Sequence, residues 1–354
     1  MVSRFENKFN LSFYIGMLTL VALSLIVIPQ SAAQSTNVTE VTPSQPPLYI
    51  ATTRNYIGNN NTFMLDPIKL TNFSIGKFGG SCPEEIAIYI HGYDRDQTEA
   101  GEEFNRLIMS LNHNNYTIPL IGFSWNSLPP YGTAKINAME SGQELAKFIS
   151  AFKNKCPGTD IRTIAHSLGV EVVKSTLVSL DKSRQDLSLN TNNGSKIIAS
   201  VHLLGAAIDN KAIANNTAFG KAIENVAERF FNLYNSQDDG LEFNLLYENG
   251  IPISRLGDSL ENITLNYHPL GLVGMNGIPP KNRPSNYNET NVIKEITPIS
   301  DADGDGDVEE CFENFKPVIG TGDNHCGYIG FRQPFLASLI DDGAINALVT
   351  DWKK

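Results

Sequence analysis

Ile161-Arg-Thr-Ile-Ala-His-Ser-Leu-Gly169 runs directly into Val170-Glu-Val-Val-Lys-Ser-Thr-Leu177. Ile161 to Ala165 is short and apolar, the character of a strand buried on both faces of a parallel sheet. Val170, Val173, Leu177 and Leu180 recur at helical spacing. Between the two lies Ala165-His166-Ser167-Leu168-Gly169, a serine with a small residue two positions away on either side. A strand that swings into a helix through a strained serine needs this spacing, because a larger neighbour would clash in the turn. Ala165 stands where glycine is usual, one methyl more. Ser167 would also sit at a helix N-terminus, where N–H groups and the helix dipole favour developing negative charge. The plain alternative is an ordinary Ser-Leu-Gly turn, and the rest of the chain decides between the two.

Upstream, Leu48-Tyr-Ile-Ala-Thr-Thr53, Ile86-Ala-Ile-Tyr-Ile90 and Ile118-Pro-Leu-Ile-Gly-Phe-Ser-Trp125 read as strands. Helices are expected near Thr98–Leu111 and Thr133–Phe152. Downstream, strands are expected at Lys196–Leu204 and Phe230–Tyr234. Strands alternating with helices imply right-handed βαβ units, hence an α/β fold with a doubly wound, mostly parallel sheet flanked by helices. Ligands of such sheets bind beyond the carboxyl ends of the strands. His91-Gly92-Tyr93, Ser124-Trp125, Ser167 and Asp238-Asp239 all fall there. Residues 241–323 break the alternation and are expected to form a long, lid-like excursion. The chain is expected to close with an amphipathic helix, Pro334 to Trp352, through Phe335, Leu339, Ile345 and Leu348.

The 354 residues, 18% charged and 41% hydrophobic, suit a globular chain, and the net charge of −11 argues against a nucleic-acid partner. Arg4 and Lys8 precede an apolar run over residues 11–28 and then Pro29-Gln-Ser-Ala-Ala33. Residues 1–33 therefore read as a cleaved signal peptide or a retained membrane anchor, and either route exports the remainder. Residues 34–47 read as a linker and 48–354 as one domain. Asn37, Asn60, Asn72, Asn115 and Asn262 head glycosylation sequons, a weak support for export in a chain this rich in Asn, Ser and Thr. The four cysteines are an even count that suits an oxidising compartment. Cys82 and Cys156 each precede a strand of the expected sheet, so the pairing Cys82–Cys156 with Cys311–Cys326 is preferred among the three available.

A serine nucleophile needs a base within hydrogen-bond reach and an acid to orient it. In doubly wound hydrolases the chain order is serine, acid, histidine. Of six histidines, His325 in Gly322-Asp-Asn-His-Cys-Gly-Tyr328 falls latest and is preferred, with His268 the alternative. The acid should follow the strand ending at Tyr234; Asp238 is preferred, with Asp239 the alternative. Oxyanion donors are expected at the Leu168 and Tyr93 N–H groups. Separately, Asp301, Asp303, Asp305 and Asp307 with Gly306 in sixth place match the front half of a calcium loop, although Phe312 occupies the twelfth position. A structural calcium ion is expected there, without a part in catalysis, and no cofactor is expected to be required for the chemistry.

Ile88-Tyr-Ile-His-Gly-Tyr93, Gly122-Phe-Ser-Trp125 and Ile164-Ala-His-Ser-Leu-Gly169, with Tyr49-Ile-Ala-Thr-Thr-Arg54 before them, resemble the α/β-hydrolase superfamily. The closer resemblance is to its esterase/lipase-like branch of prokaryotic serine hydrolases with an HGY, FSW, AHSxG pattern. It covers residues 48–240 well and the His325 loop more loosely, and Asn126 stands where that branch usually has proline. The resemblance implies a serine hydrolase acting through an acyl-enzyme on carboxylic esters, small-molecule or lipid. Two other readings stay open: a catalytically silent fold that binds a surface partner, and a lipid hydrolase anchored to a membrane by residues 11–28.

Overall fold

The apolar runs become strands because each is buried on both faces. In Glu85–Ile90, Ile86, Ile88 and Ile90 point into one core cluster while Ala87 and Tyr89 point into another. A computed structural model describes residues 47–54, 68–69, 78–186, 196–252, 264–296, 325–332 and 339–354. In chain order these form β1 (Leu48–Thr52), β2 (Ile68–Lys69), β3 (Glu85–Ile90), α1 (Gln97–His113), β4 (Leu120–Ser124) and α2 (Tyr131–Lys155). They continue with β5 (Asp160–His166), α3 (Gly169–Asp186), β6 (Ile198–Leu204), α4 (Ala218–Val226), β7 (Ala227–Tyr234) and α5 (Asp239–Glu248). The last are α6 (Leu270–Val273), β8 (Tyr287–Asn291), β9 (Phe331–Arg332), β10 (Leu339–Asp341) and α7 (Ile345–Trp352).

Eight strands form one sheet in the order β2-β1-β4-β3-β5-β6-β7-β8, every pair parallel. β9 and β10 pair antiparallel beside it. The helical layers close on both faces with small residues at the tightest points. A Cβ on Gly122 of β4 would come 2.3 Å from the Phe104 ring of α1, and one on Gly142 of α2 would come 2.4 Å from the Val172 carbonyl of α3. α1 opens on a capping box in which Asp96 accepts from Thr98 and Glu99 N–H, and Glu99 reaches back to the Asp96 N–H.

Cys82 and Cys156 lie just before the parallel neighbours β3 and β5, at the same edge of the sheet, and form a disulfide. Cys326 is also disulfide-bonded. Cys311, its expected partner, and the acidic loop Asp301, Asp303, Asp305 and Asp307 lie outside the described residues, as do residues 1–46. No helix among the described residues is long and apolar enough to cross a membrane.

Two stretches differ from expectation. The excursion after Leu241 contributes α5, α6 and the edge strand β8, which extends the parallel sheet beside β7. The closing helix is shorter than expected: Leu339–Asp341 is a strand, and α7 runs only from Ile345 to Trp352. Gly343 between them has φ 55°, and a Cβ there would lie 2.1 Å from the Gly327 carbonyl. The amphipathic spacing carried no sign of that turn.

Candidate active site

β5 ends at His166 and α3 begins at Gly169, so Ser167 occupies the turn between strand and helix, with φ 52°. A non-glycine residue held in the left-handed region costs about 1–3 kcal/mol and persists only where its surroundings enforce it. A Cβ on Gly169 would come 2.6 Å from the His91 carbonyl and 2.8 Å from that of Ile90, so only glycine fits where α3 meets β3. Ala165 is fully buried, and its methyl is accommodated.

His325 Nε2 lies 2.8 Å from Ser167 Oγ, and His325 Nδ1 lies 2.9 Å from both carboxylate oxygens of Asp238. Asp238 is wholly buried, with its charge met from several sides. Besides His325, it accepts from the Leu241 N–H at 2.9 Å as the cap of α5 and from the Tyr328 hydroxyl at 3.1 Å. A carboxylate can only accept, so Nδ1 of His325 carries the proton and Nε2 is left to accept from the serine hydroxyl. Burial, and then the nearby Asp238 charge, push the Tyr328 hydroxyl pKa well up, so it stays a donor.

Of the two candidate acids, Asp238 meets the histidine. Asp239, one residue into α5, accepts from the Gly240 N–H at 3.0 Å. His268 lies on the approach to α6, where its carbonyl accepts from the Asn210 N–H at 2.9 Å; the imidazole that reaches Ser167 is that of His325. Gly240 makes room for that ring, since a Cβ there would stand 2.8 Å from its Cγ.

Leu168 is buried beside the serine at the start of α3, and Tyr93 follows Gly92, whose hypothetical Cβ would touch Ser167 Cβ at 2.9 Å. The Tyr93 turn is pinned from the loop after β4: Asp94 N–H donates to the Ser127 carbonyl, and Arg95 N–H to Ser127 Oγ. His91 holds it from beneath. Its Nε2 accepts from the Trp125 N–H at 3.1 Å and its carbonyl accepts from the Trp125 indole N–H at 2.8 Å. The two rings stack 5.6 Å apart. Burial, and then the Arg54 guanidinium, hold the His91 pKa down at about 3. The HGY and FSW motifs are thus two halves of one clamp.

A second network was not foreseen. His166, 4% exposed, lies 2.8 Å through Nε2 from the His325 carbonyl, and its ring is 4.8 Å from that of His325. Burial, and then His325, lower its pKa to about 4, so it is neutral and donates from Nε2. Arg95 pairs with the buried Glu103 at 2.7 Å and donates to Cys326 Sγ at 3.1 Å, and Tyr89 donates to Glu103 at 2.9 Å. Burial would raise Glu103, but Arg95 and then His166 outweigh it and hold the carboxyl at about 2. Arg95, the first basic residue after the HGY turn, was the available signal.

A parallel sheet with a serine on the turn after a central strand, an aspartate beyond a later strand and a histidine from near the end of the chain defines an α/β hydrolase. The family model described as alpha/beta hydrolase of unknown function (DUF900) matches residues 77–263, and the chain belongs to that family. No curated protein matches the sequence significantly. Among solved structures, the catalytic core domain of acetyl xylan esterase from Trichoderma reesei is 12% identical over 36% of this chain and 66% of its own, with a TM-score of 0.27. A Trichoderma reesei cutinase bound to a phosphonate inhibitor is 18% identical over 43% of this chain and 66% of its own, TM-score 0.26. An extracellular alpha/beta-hydrolase from a Paenibacillus species is 11% identical over 76% and 98%, TM-score 0.27. The chain spans 65–66% of the acetyl xylan esterase structures. These likenesses carry no assignment of substrate.

Proposed function

We propose that the chain is an exported serine hydrolase that cleaves a carboxylic ester through an acyl-enzyme. His325 Nε2 takes the proton of Ser167 Oγ as the oxygen attacks the ester carbonyl. The tetrahedral oxyanion is met by the N–H groups of Leu168 and Tyr93, each such donor worth about 10²–10³ in rate in sites of this kind. His325 then protonates the departing alcohol and activates the water that frees the acid, while Asp238 stabilises the imidazolium. The observation that carries this reading is the Asp238–His325–Ser167 chain of hydrogen bonds at 2.9 and 2.8 Å. It favours an enzyme over a silent binding fold, which would have its base displaced from the serine.

Export rests on the leader over residues 1–33 and on the paired cysteines. Calcium in the acidic loop would brace the segment leading to His325 without joining the chemistry. The reading is tested by hydrolysis of p-nitrophenyl esters from acetate to palmitate, by residues 34–354 and by Ser167→Ala. Activity confined to the parent supports it, and equal rates in both proteins refute it.

A further inference from the structure

β4 and β7 stand four places apart in the sheet, with β3, β5 and β6 between them. At strand spacing that is about 19 Å. The helices that follow these two strands nevertheless touch. Tyr131, the first residue of α2, packs edge-on against Tyr247 of α5 at 5.5 Å between ring centroids. Asn244 Nδ2 donates to the Tyr131 hydroxyl at 2.7 Å, Asn244 Oδ1 accepts from the Tyr267 hydroxyl at 2.7 Å, and Lys135 pairs with Glu248 at 2.8 Å. Asp238, in the site itself, caps the start of α5, and Gly240 lies against the His325 ring. Nine residues on, about 14 Å along the helix, it reaches Tyr131. α5 therefore crosses above the carboxyl end of β5, where Ser167 sits, and is fastened at its far end to α2.

The bridge extends a chain of aromatic side chains from the turn beside the nucleophile to α5. Tyr93, in the turn beside Ser167, packs edge-on against Tyr131 at 5.2 Å; Tyr131 meets Tyr247; and Tyr247 stacks on Phe243 at 6.5 Å. Tyr247 is 51% exposed, so the wall is not sealed by the core. Its charges are spoken for or negative: the Lys135 ammonium is paired with Glu248 and lies 5.8 Å from the Tyr131 ring centroid. Burial, and then the Glu248 charge, push the Tyr131 hydroxyl pKa up, so it stays neutral. Such a wall suits an uncharged flat group, since aromatic rings pair edge-to-face or offset with a preference beyond their area burial.

Resting on the ester-hydrolase reading, we infer that the Tyr93–Tyr131–Tyr247 wall is the specificity surface of the site, and that it selects uncharged esters bearing an aromatic ring.

The test compares kcat/KM for methyl phenylacetate and benzyl acetate with ethyl acetate and ethyl octanoate, using residues 34–354, Tyr247→Ala and Tyr247→Phe. The parent is expected to prefer at least one ring-bearing ester. Tyr247→Ala should lose roughly five- to tenfold on that ester, with ethyl acetate changed less than twofold. Tyr247→Phe, which keeps the ring, should retain the preference. A parent that prefers ethyl acetate or ethyl octanoate overturns the wall alone, as does a variant that falls equally on all four esters or a Phe variant that behaves as Ala does. A parent that hydrolyses none of them and is not labelled at Ser167 by a fluorophosphonate overturns the wall together with the reading beneath it.

Discussion

Nε2 of His166 donates to the main-chain carbonyl of His325 at 2.8 Å, so the residue before the nucleophile holds the backbone of the proposed base. His166→Leu removes that donor, leaves a buried carbonyl unpaired and frees the loop from Cys326 to Ile329. We expect kcat to fall about tenfold with KM within twofold. His166→Gln, whose amide N–H can reach the same carbonyl, should recover most of it. Steady-state kinetics on one p-nitrophenyl ester separates the two.

The buried histidines set an acid limit on stability. His166 is held at about 4 and His91 at about 3, against an ordinary value of 6.5. Between those values and 6.5 the unfolded chain binds protons that the folded chain refuses, so stability is full above pH 6.5 and falls as pH drops. Each group contributes up to about 1.4 kcal/mol per pH unit in that window. Glu103, held at about 2, adds a loss in the same direction below its ordinary carboxyl value. Urea midpoints should therefore decline from pH 7 to pH 5, and His166→Gln should flatten the slope.

Gly240→Ala puts a methyl 2.8 Å from the His325 ring. Because alanine is a good helix former and Gly240 lies in the first turn of α5, the fold should survive with an unchanged circular dichroism spectrum. The ring must move, and the hydrolysis rate is expected to drop about a hundredfold.

The Cys82–Cys156 disulfide closes a loop with a sequence separation of 74. Replacing both cysteines with serine should cost about 2–4 kcal/mol, read as a lower urea midpoint with the site kinetics at pH 7 unchanged, because the bond lies at the opposite end of the strands from Ser167.

What could be read in the sequence was what is local or ordered along the chain. The elbow declares itself in five consecutive residues, and the later candidates follow from chain order, so Ser167, Asp238 and His325, whose side chains the structure brings together, could be singled out before any fold was seen. The choice between Asp238 and Asp239 turns on which residue caps α5 and which begins it, a matter of one residue at a helix boundary. The His91–Trp125 clamp and the Tyr131–Tyr247 bridge were not legible, because each depends on which strands are neighbours. The placing of β4 beyond β3 and of β7 beyond β6 is a property of the sheet, not of any segment. The closing helix was overextended because the i, i+3 pair Ile345 and Leu348 was joined to Leu339, six residues earlier and off that face, across a turn at Gly343 that separates a strand from a helix.

The most direct measurement is intact-mass and peptide mass spectrometry of residues 34–354 after exposure to a fluorophosphonate. The account predicts one adduct, carried by the peptide containing Ser167, lost in Ser167→Ala and slowed at least a hundredfold in His325→Ala. A folded protein that takes no adduct, or takes it on another residue, would contradict the assignment of Ser167 as the nucleophile.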